Sequence, residues 1–190
     1  MEPRPERFRR LIEPVHHKAL AFARCLCRSR ADGDDLFQES SLRAFTKLDG
    51  LRDDGAFRAW LYRIVISVHR NRCRASFWRR LVPFGDDGRA QDGVRAGHEQ
   101  DYRTSEWSPD AADATQRARA ALSTLPAVQR EAIVLLEIEG WQVDEIAVLQ
   151  RASVSAVKSR LARGRQRLRM YYEKHLGTAG VPAYVSGDAP

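Results

Sequence analysis

The chain has 190 residues, 32 Lys and Arg against 25 Asp and Glu, and a formal net charge of +7. With 43% hydrophobic and 30% charged residues, it has the composition of a soluble globular chain rather than a disordered one, and its length suits one domain or two small ones. No apolar run reaches the roughly 20 residues of a membrane span; the best, Ala132 to Ile138, is interrupted by Glu137. The start, with His16, His17 and Lys18 inside an amphipathic stretch, is unlike a signal peptide. Cys25, Cys27 and Cys73 are an odd number without the spacing of a disulfide framework, which fits a reducing cytoplasm.

Taken in chain order, Phe8, Leu11, Ile12, Val15, Ala19, Phe22 and Leu26 recur at helical spacing and predict one amphipathic helix. Arg30 to Gly33 breaks it. Asp34 or Asp35 then caps a second helix to about Leu48, with Phe37, Ser41, Ala44, Phe45 and Leu48 on its buried side. Asp49-Gly50 and Asp53-Asp54-Gly55 frame a short loop. A third helix from about Ala56 carries Phe57, Trp60, Leu61, Ile64, Val65 and Val68 as a core stripe; Tyr62 lies off it. From Val82 to about Asp113 no period is sustained, and the stretch reads as a flexible linker.

Structure resumes at Ala114. Ala118, Ala121, Leu122 and Leu125 mark a helix that stops before Pro126, which suits the first turn of the next. That helix carries Ile133, Val134 and Leu136 and ends at Gly140. Asp144 caps a short helix through Gln150, and Ser153 or Ser155 caps a last one to about His175. No β-alternation is sustained. The expected fold is all-α: two small helical domains, residues 1–80 and 114–176, joined by an acidic flexible linker, 81–113, and followed by a disordered tail, 177–190.

The charge is unevenly spread. Arg63 to Arg80 holds six arginines and no acid, and Arg151 to His175 holds eight Lys and Arg against Glu173 alone. Val82 to Gln116 reverses the sign, with eight acids against Arg89, Arg95 and Arg103. Two basic blocks on a tether suggest two nucleic-acid surfaces, although solvated helix faces would look the same by charge alone.

The sharpest local pattern runs from Val143 to Arg169: a short helix, a turn of about three residues and a second helix, the spacing of a helix-turn-helix. Val154, Val157 and Leu161 form the core stripe of the second helix. Ser155, Lys158, Ser159, Ala162 and Arg163 fall opposite, where small residues permit close approach to a major groove and long cations reach guanine edges. Arg160, Arg165 and Arg167 lie off this line and suit phosphates or solvent.

Three segments, Asp34-Asp35-Leu36-Phe37-Gln38-Glu39, Leu42-Arg43-Ala44-Phe45 and Phe57-Arg58-Ala59-Trp60-Leu61-Tyr62-Arg63-Ile64, resemble region 2 of bacterial sigma-70-family factors. Leu122 to Pro126, Gln129-Arg130-Glu131, Glu139-Gly140, Glu145-Ile146-Ala147 and Val154 to Leu168 resemble region 4. Their order, without a middle domain, is the layout of the extracytoplasmic-function (ECF) group. The resemblance implies an RNA polymerase sigma factor that binds core polymerase, recognises minus-35 and minus-10 elements and promotes strand opening.

It further implies that Asp35, Gln38, Glu39 and Leu42 pack on the clamp helices of the polymerase largest subunit, with the flap as a second polymerase contact. The loop from Leu48 to Ala56 matches the family's pocket for a flipped promoter base. The helix after it matches the minus-10 reader, with Arg63, Arg70, Asn71 and Arg74 as contacts. In the last helix the DNA-binding set is Ser155, Lys158, Ser159, Ala162, Arg163 and Arg167. Many relatives have Asn where this chain has Ser67. An anti-sigma protein is an expected partner, and the expected location is cytoplasmic.

Other chemistry finds no support in the residue pattern. Cys25 and Cys27, two apart on one helix, do not converge on an ion, nor do His16 and His17. Cys73 stands among arginines that can lower a thiol pKa, without a redox motif around it. No phosphate loop or nucleophile motif is present, so no catalysis, cofactor, metal or small-molecule substrate is expected. An autonomous helix-turn-helix regulator would need neither a clamp-binding ridge nor a second basic surface, and a DNA-acting enzyme would need a carboxylate cluster for metal.

Overall fold

The computed structural model describes residues 2–81, 109–177, 181, 182 and 185, and among these there are helices and turns but no strand. Pro14 divides the predicted first helix. Its ring leaves no N–H for the helical ladder, and the chain forms α1 (Arg4–Ile12), a 3-10 turn (Glu13–Val15) and α2 (His16–Leu26).

Helix α3 (Arg30–Thr46) starts earlier than expected, because Ser29 supplies the cap: its Oγ accepts from Asp32 N–H at 3.0 Å. Arg30 to Gly33 is therefore helix, not a break. Gly33 is buried where α3 crosses α2, and a Cβ there would lie 2.5 Å from the Arg24 Cα. The glycine permits a close crossing rather than ending a helix. Two 3-10 turns, Leu48–Gly50 and Asp54–Ala56, lead into α4 (Phe57–Leu81). Phe22, Leu26, Leu36, Leu61 and Val65 are wholly buried at the centre of α2, α3 and α4.

The second half begins with α5 (Pro109–Ser123), upstream of the expected Ala114. The rest of the expected linker, 82–108, lies outside the described residues. Pro126 is the N-cap of α6 (Ala127–Ile133) rather than part of its first turn. Helix α6 widens into a π-helical segment, Val134–Ile138, before Gly140 turns the chain at φ 70°. The predicted stop is in place, but the winding before it is not α-helical throughout.

In α7 (Val143–Gln150) the N-cap is Gln142, not Asp144, and Glu145 Oε2 accepts from the Gln142 N–H at 2.8 Å. Helix α8 (Val154–Leu176) is capped by Ser153, whose Oγ accepts from Ala156 N–H at 3.1 Å. Gly164 lets α8 lie against α6; a Cβ there would sit 3.0 Å from Ile133 Cγ1.

The halves are packed together. Helix α4 lies against α6 and α7, and α2 against α5 and the π segment. The buried apolar residues of both halves form one continuous core. In the expected tail, Val185 is buried and Val181 packs against that core.

Candidate nucleic-acid and polymerase interfaces

Along α3, Asp35, Gln38 and Leu42 recur three and four apart and stand exposed on one face, Leu42 at 65%. Glu39 is different. It is half-buried and accepts from Arg72 Nη2 at 2.6 Å and Arg43 Nη2 at 2.7 Å, tying α3 to α4. Arg72 Nη2 also donates to the Asp35 carbonyl at 3.1 Å.

On α4, Arg63, Asn71 and Arg74 are exposed, and Asn71 Oδ1 accepts from Arg74 Nη2 at 2.5 Å. Ser67 is exposed on the same helix. A cleft of about 1080 Å³ opens here, lined by Lys47, Gly50, Trp60, Arg63, Arg74 and, from the second half, Arg151. Arg151 sits in the left-handed region at φ 50°, at the turn between α7 and α8.

Arg70 does not stand free with its neighbours. Its Nη2 and Nε donate to Glu131 Oε2 at 2.6 and 3.1 Å, and Nη1 reaches the Gln150 carbonyl at 3.3 Å. Glu131, on α6, is wholly buried. It also meets His69 Nδ1 at 3.3 Å and accepts from Gln150 Nε2 at 3.2 Å. Burial works against the His69 imidazolium, but hydrogen bonds to Cys73 and Glu131 outweigh it and raise the pKa to about 9. The same His69 contact, rather than the surrounding arginines, is the main cause that lowers the Cys73 thiol. Burial pushes Cys27 up to about 11.

A second contact joins the halves. Tyr62, which lies off the predicted core stripe of α4, is wholly buried, stacked on Phe22 at 4.9 Å and beside Trp141 at 5.3 Å. Its hydroxyl donates to Glu139 Oε2 at 2.5 Å. Burial raises both groups above their ordinary pKa values, and for Tyr62 the hydrogen bond to Glu139 adds to the rise. Arg58 lies over the Trp141 ring at 4.2 Å and donates to the Glu139 carbonyl at 3.0 Å. Arg130 donates to the Leu26 carbonyl at 2.5 Å. Periodicity offers no sign of these pairs, because their partners are 61 to 104 residues apart in the chain.

On α8 the two faces separate as predicted, with two corrections. Val157, Leu161, Gly164, Leu168 and Tyr172 are buried. Ser155, Lys158, Ala162, Arg163 and Arg167 are exposed, and Ser159 is half-buried beside them. Val154, expected in the core, is 43% exposed because it opens the helix before α8 meets its neighbours. Arg160 and Arg165 are half-buried and each is engaged by a side chain of the same half. Arg160 Nη1 donates to Gln150 Oε1 at 2.6 Å, and Arg165 Nη2 pairs with Glu137 at 2.6 Å. Lys158, Arg163 and Arg167 have no ion pair among the described residues.

Two family models match the chain: "Sigma-70 region 2" over residues 11–79 and "Sigma-70, region 4" over residues 115–168. Among similar proteins, the ECF RNA polymerase sigma factor SigE of Mycolicibacterium smegmatis is 32% identical over 79% of this chain; the chain spans 55% of that relative's length. SigM of Mycobacterium tuberculosis is 32% identical over 80% of this chain and 71% of its own. The ECF sigma-E factor of Escherichia coli is 30% identical over 84% and 83%. Two solved structures share the fold at 25% identity. One is the sigma factor RpoE in complex with the anti-sigma factor NepR from Bartonella quintana, with TM-score 0.61 over 88% of this chain and 98% of that one. The other is CnrH in complex with the cytosolic domain of CnrY, with TM-score 0.62 over 88% of each.

Proposed function

Because the chain belongs to the sigma-70 family, in its extracytoplasmic-function branch, we infer that it is a promoter-specificity subunit of RNA polymerase. It binds core polymerase, recognises minus-35 and minus-10 elements and promotes strand opening for initiation. The phosphodiester chemistry belongs to the polymerase; this chain supplies binding energy and position, and it works in the cytoplasm alongside that enzyme.

The carrying observation is the division of labour on α8: a buried stripe opposite an exposed row of Lys158, Ala162 and Arg163 at the start of a helix-turn-helix reader. In this reading Lys158 and Arg163 reach base edges of the minus-35 element, Ser155 and Ser159 permit approach, and Arg167 holds a phosphate. Asp35, Gln38 and Leu42 meet the polymerase clamp helices, with Glu39 buttressing the ridge through Arg72 and Arg43. Arg63, Asn71 and Arg74 meet the opened minus-10 strand, beside the loop from Leu48 to Ala56 that receives a flipped base.

Arg70 joins that surface only after leaving Glu131, so the packed arrangement is a closed form and promoter engagement parts the halves. One structural neighbour, RpoE of Bartonella quintana, is a sigma factor in complex with an anti-sigma factor, and a partner of that kind fits a chain that can close on itself.

Transcription with purified core polymerase on candidate promoters tests the reading. Core-dependent transcripts are expected, and alanine at Arg63, Asn71 and Arg74 together should suppress opened, permanganate-reactive thymines more than initial duplex binding. Core-independent binding as a dimer to two half-sites, without opening, would make the protein an autonomous regulator instead.

A further inference from the structure

Helix α1 is absent from the functional roles above, yet one side of it is spent on the loop between α3 and α4. Arg4 pairs with Asp49 through two hydrogen bonds. Arg7 donates to Asp54 Oδ1 from Nη2 at 2.6 Å and from Nε at 3.0 Å, and its Nη2 also reaches the Leu51 carbonyl at 2.9 Å. Arg10 Nη2 takes the other Asp54 oxygen at 2.8 Å. Both oxygens of one carboxylate are thus held by two arginines one turn apart, and these bonds hold the Asp54 carboxyl below its ordinary pKa.

Apolar contacts point the same way. Phe8 packs edge-on against Phe45, near the end of α3, and against Phe57, the first residue of α4, with centroids 5.4 and 6.1 Å apart. Helix α1 therefore grips both flanks of the loop and its outer side. Lys47 and Gly50 of the same loop line the basic cleft together with Trp60 and Arg63.

We propose that Arg7, assisted by Arg4 and Arg10, is a specificity-positioning element: it sets the shape of the loop that reads the flipped minus-10 base, without touching DNA itself. The inference rests on the loop's assignment as that reader. A base pocket discriminates only while its donors and acceptors are held to within a fraction of an ångström. The ten residues from Lys47 to Ala56 carry only two single 3-10 turns between the helices, and the groups that hold them from outside are guanidinium forks of fixed planar geometry.

The test uses full-length protein with core polymerase on a promoter pool randomised in the minus-10 element, with the minus-35 element held constant. For Arg7→Ala and Asp54→Asn, the spread of initiation rates between preferred and disfavoured bases at one position should narrow by about tenfold, the scale of one mismatched base. Core affinity and minus-35 binding should stay unchanged. The exchange of Arg7→Asp with Asp54→Arg should restore part of the spread, which loss of general positive charge does not predict.

Arg7→Lys, which keeps charge and lacks the fork, should lie between wild type and Arg7→Ala, and it serves if Arg7→Ala fails to fold. An equal drop on every promoter, with the base spread intact, overturns the proposal. A double loop substitution, Arg52→Ala with Asp53→Asn, separates the two layers. If it shifts the base preference while the Arg7 and Asp54 variants do not, only the positioning role fails. If neither shifts it, the assignment of the loop fails as well.

Discussion

The two basic surfaces of this chain are alike in composition, and each ties up some of its arginines, Arg70 and Arg72 on α4 and Arg160 and Arg165 on α8, while leaving others exposed. On α8, Lys158 and Arg163 stand in water with no ion pair among the described residues. On α4, Arg70 is held by a carboxylate with no solvent exposure and Arg72 by a half-buried one. The difference lies in the acid, not the base. A carboxylate buried without partners is expensive, so Glu131 collects Arg70, His69 and Gln150. Among the described residues no acid pairs with Lys158, and exposed ion pairs gain too little to hold a long side chain in place. A basic helix therefore shows where phosphate can be met. Whether its side chains are free to meet it depends on what the opposite element has buried.

Removing Glu131 should break this contrast most severely. Glu131→Ala leaves His69 and Gln150 facing an empty buried site, and should cost about 3 kcal/mol, the low end for a broken buried pair because Arg70 keeps partial access to water. Denaturant unfolding reads the loss, and fluorescence transfer between labels on α3 and α8 should report separation of the halves. An unchanged midpoint together with an unchanged distance would remove Glu131 from the interface.

Arg163→Ala should act on the open surface alone. A guanine contact contributes roughly 1–3 kcal/mol of discrimination, so preference should relax at one minus-35 position, whereas Arg167→Ala should weaken all sequences alike and reduce the salt slope. Binding to single-base variants at two salt concentrations distinguishes them. A uniform loss from Arg163→Ala would make that residue a phosphate clamp.

The closed contact should also depend on pH, and the open surface much less. His69 has a pKa raised to about 9 in the folded state, so its contribution is complete below its unfolded value near 6.5 and is lost as pH rises through about 9. The facing groups are Glu131 on α6 and, on its own helix, Arg70 and Cys73. Interdomain transfer efficiency should fall across that window in wild type and stay flat in His69→Gln. A flat wild-type profile would exclude His69 from the contact.

The smallest structural effect is expected on the α3 ridge. Gln38→Ala and Leu42→Ala change exposed side chains and should move stability by about 0.5 kcal/mol or less. Their core-polymerase affinity should nevertheless fall. Unchanged affinity in both would take the ridge away from the clamp and leave polymerase contact to other surfaces.

Local chemistry determined much of what the chain alone can tell. Helical periods at Phe22, Leu61, Val157 and Leu161 located core faces, Ser153, one of the two serines expected as cap, caps the reader helix, and the spacing from α7 to α8 disclosed the helix-turn-helix. Each depends on residues within a turn or two, where backbone geometry ties spacing to direction.

Tertiary structure decided the rest. Gly33 reads as a breaker until α2 crosses it, and Arg160 and Arg165 read as suited to phosphates or solvent until Gln150 and Glu137 reach them. Tyr62 falls off the stripe until Trp141 covers it from the other half. The sequence marked which residues carry charge and which repel water. Pairing buried Glu131 with Arg70 across 61 positions depended on the folded chain bringing the two together, because desolvation acts on neighbours in space and leaves no period along the sequence.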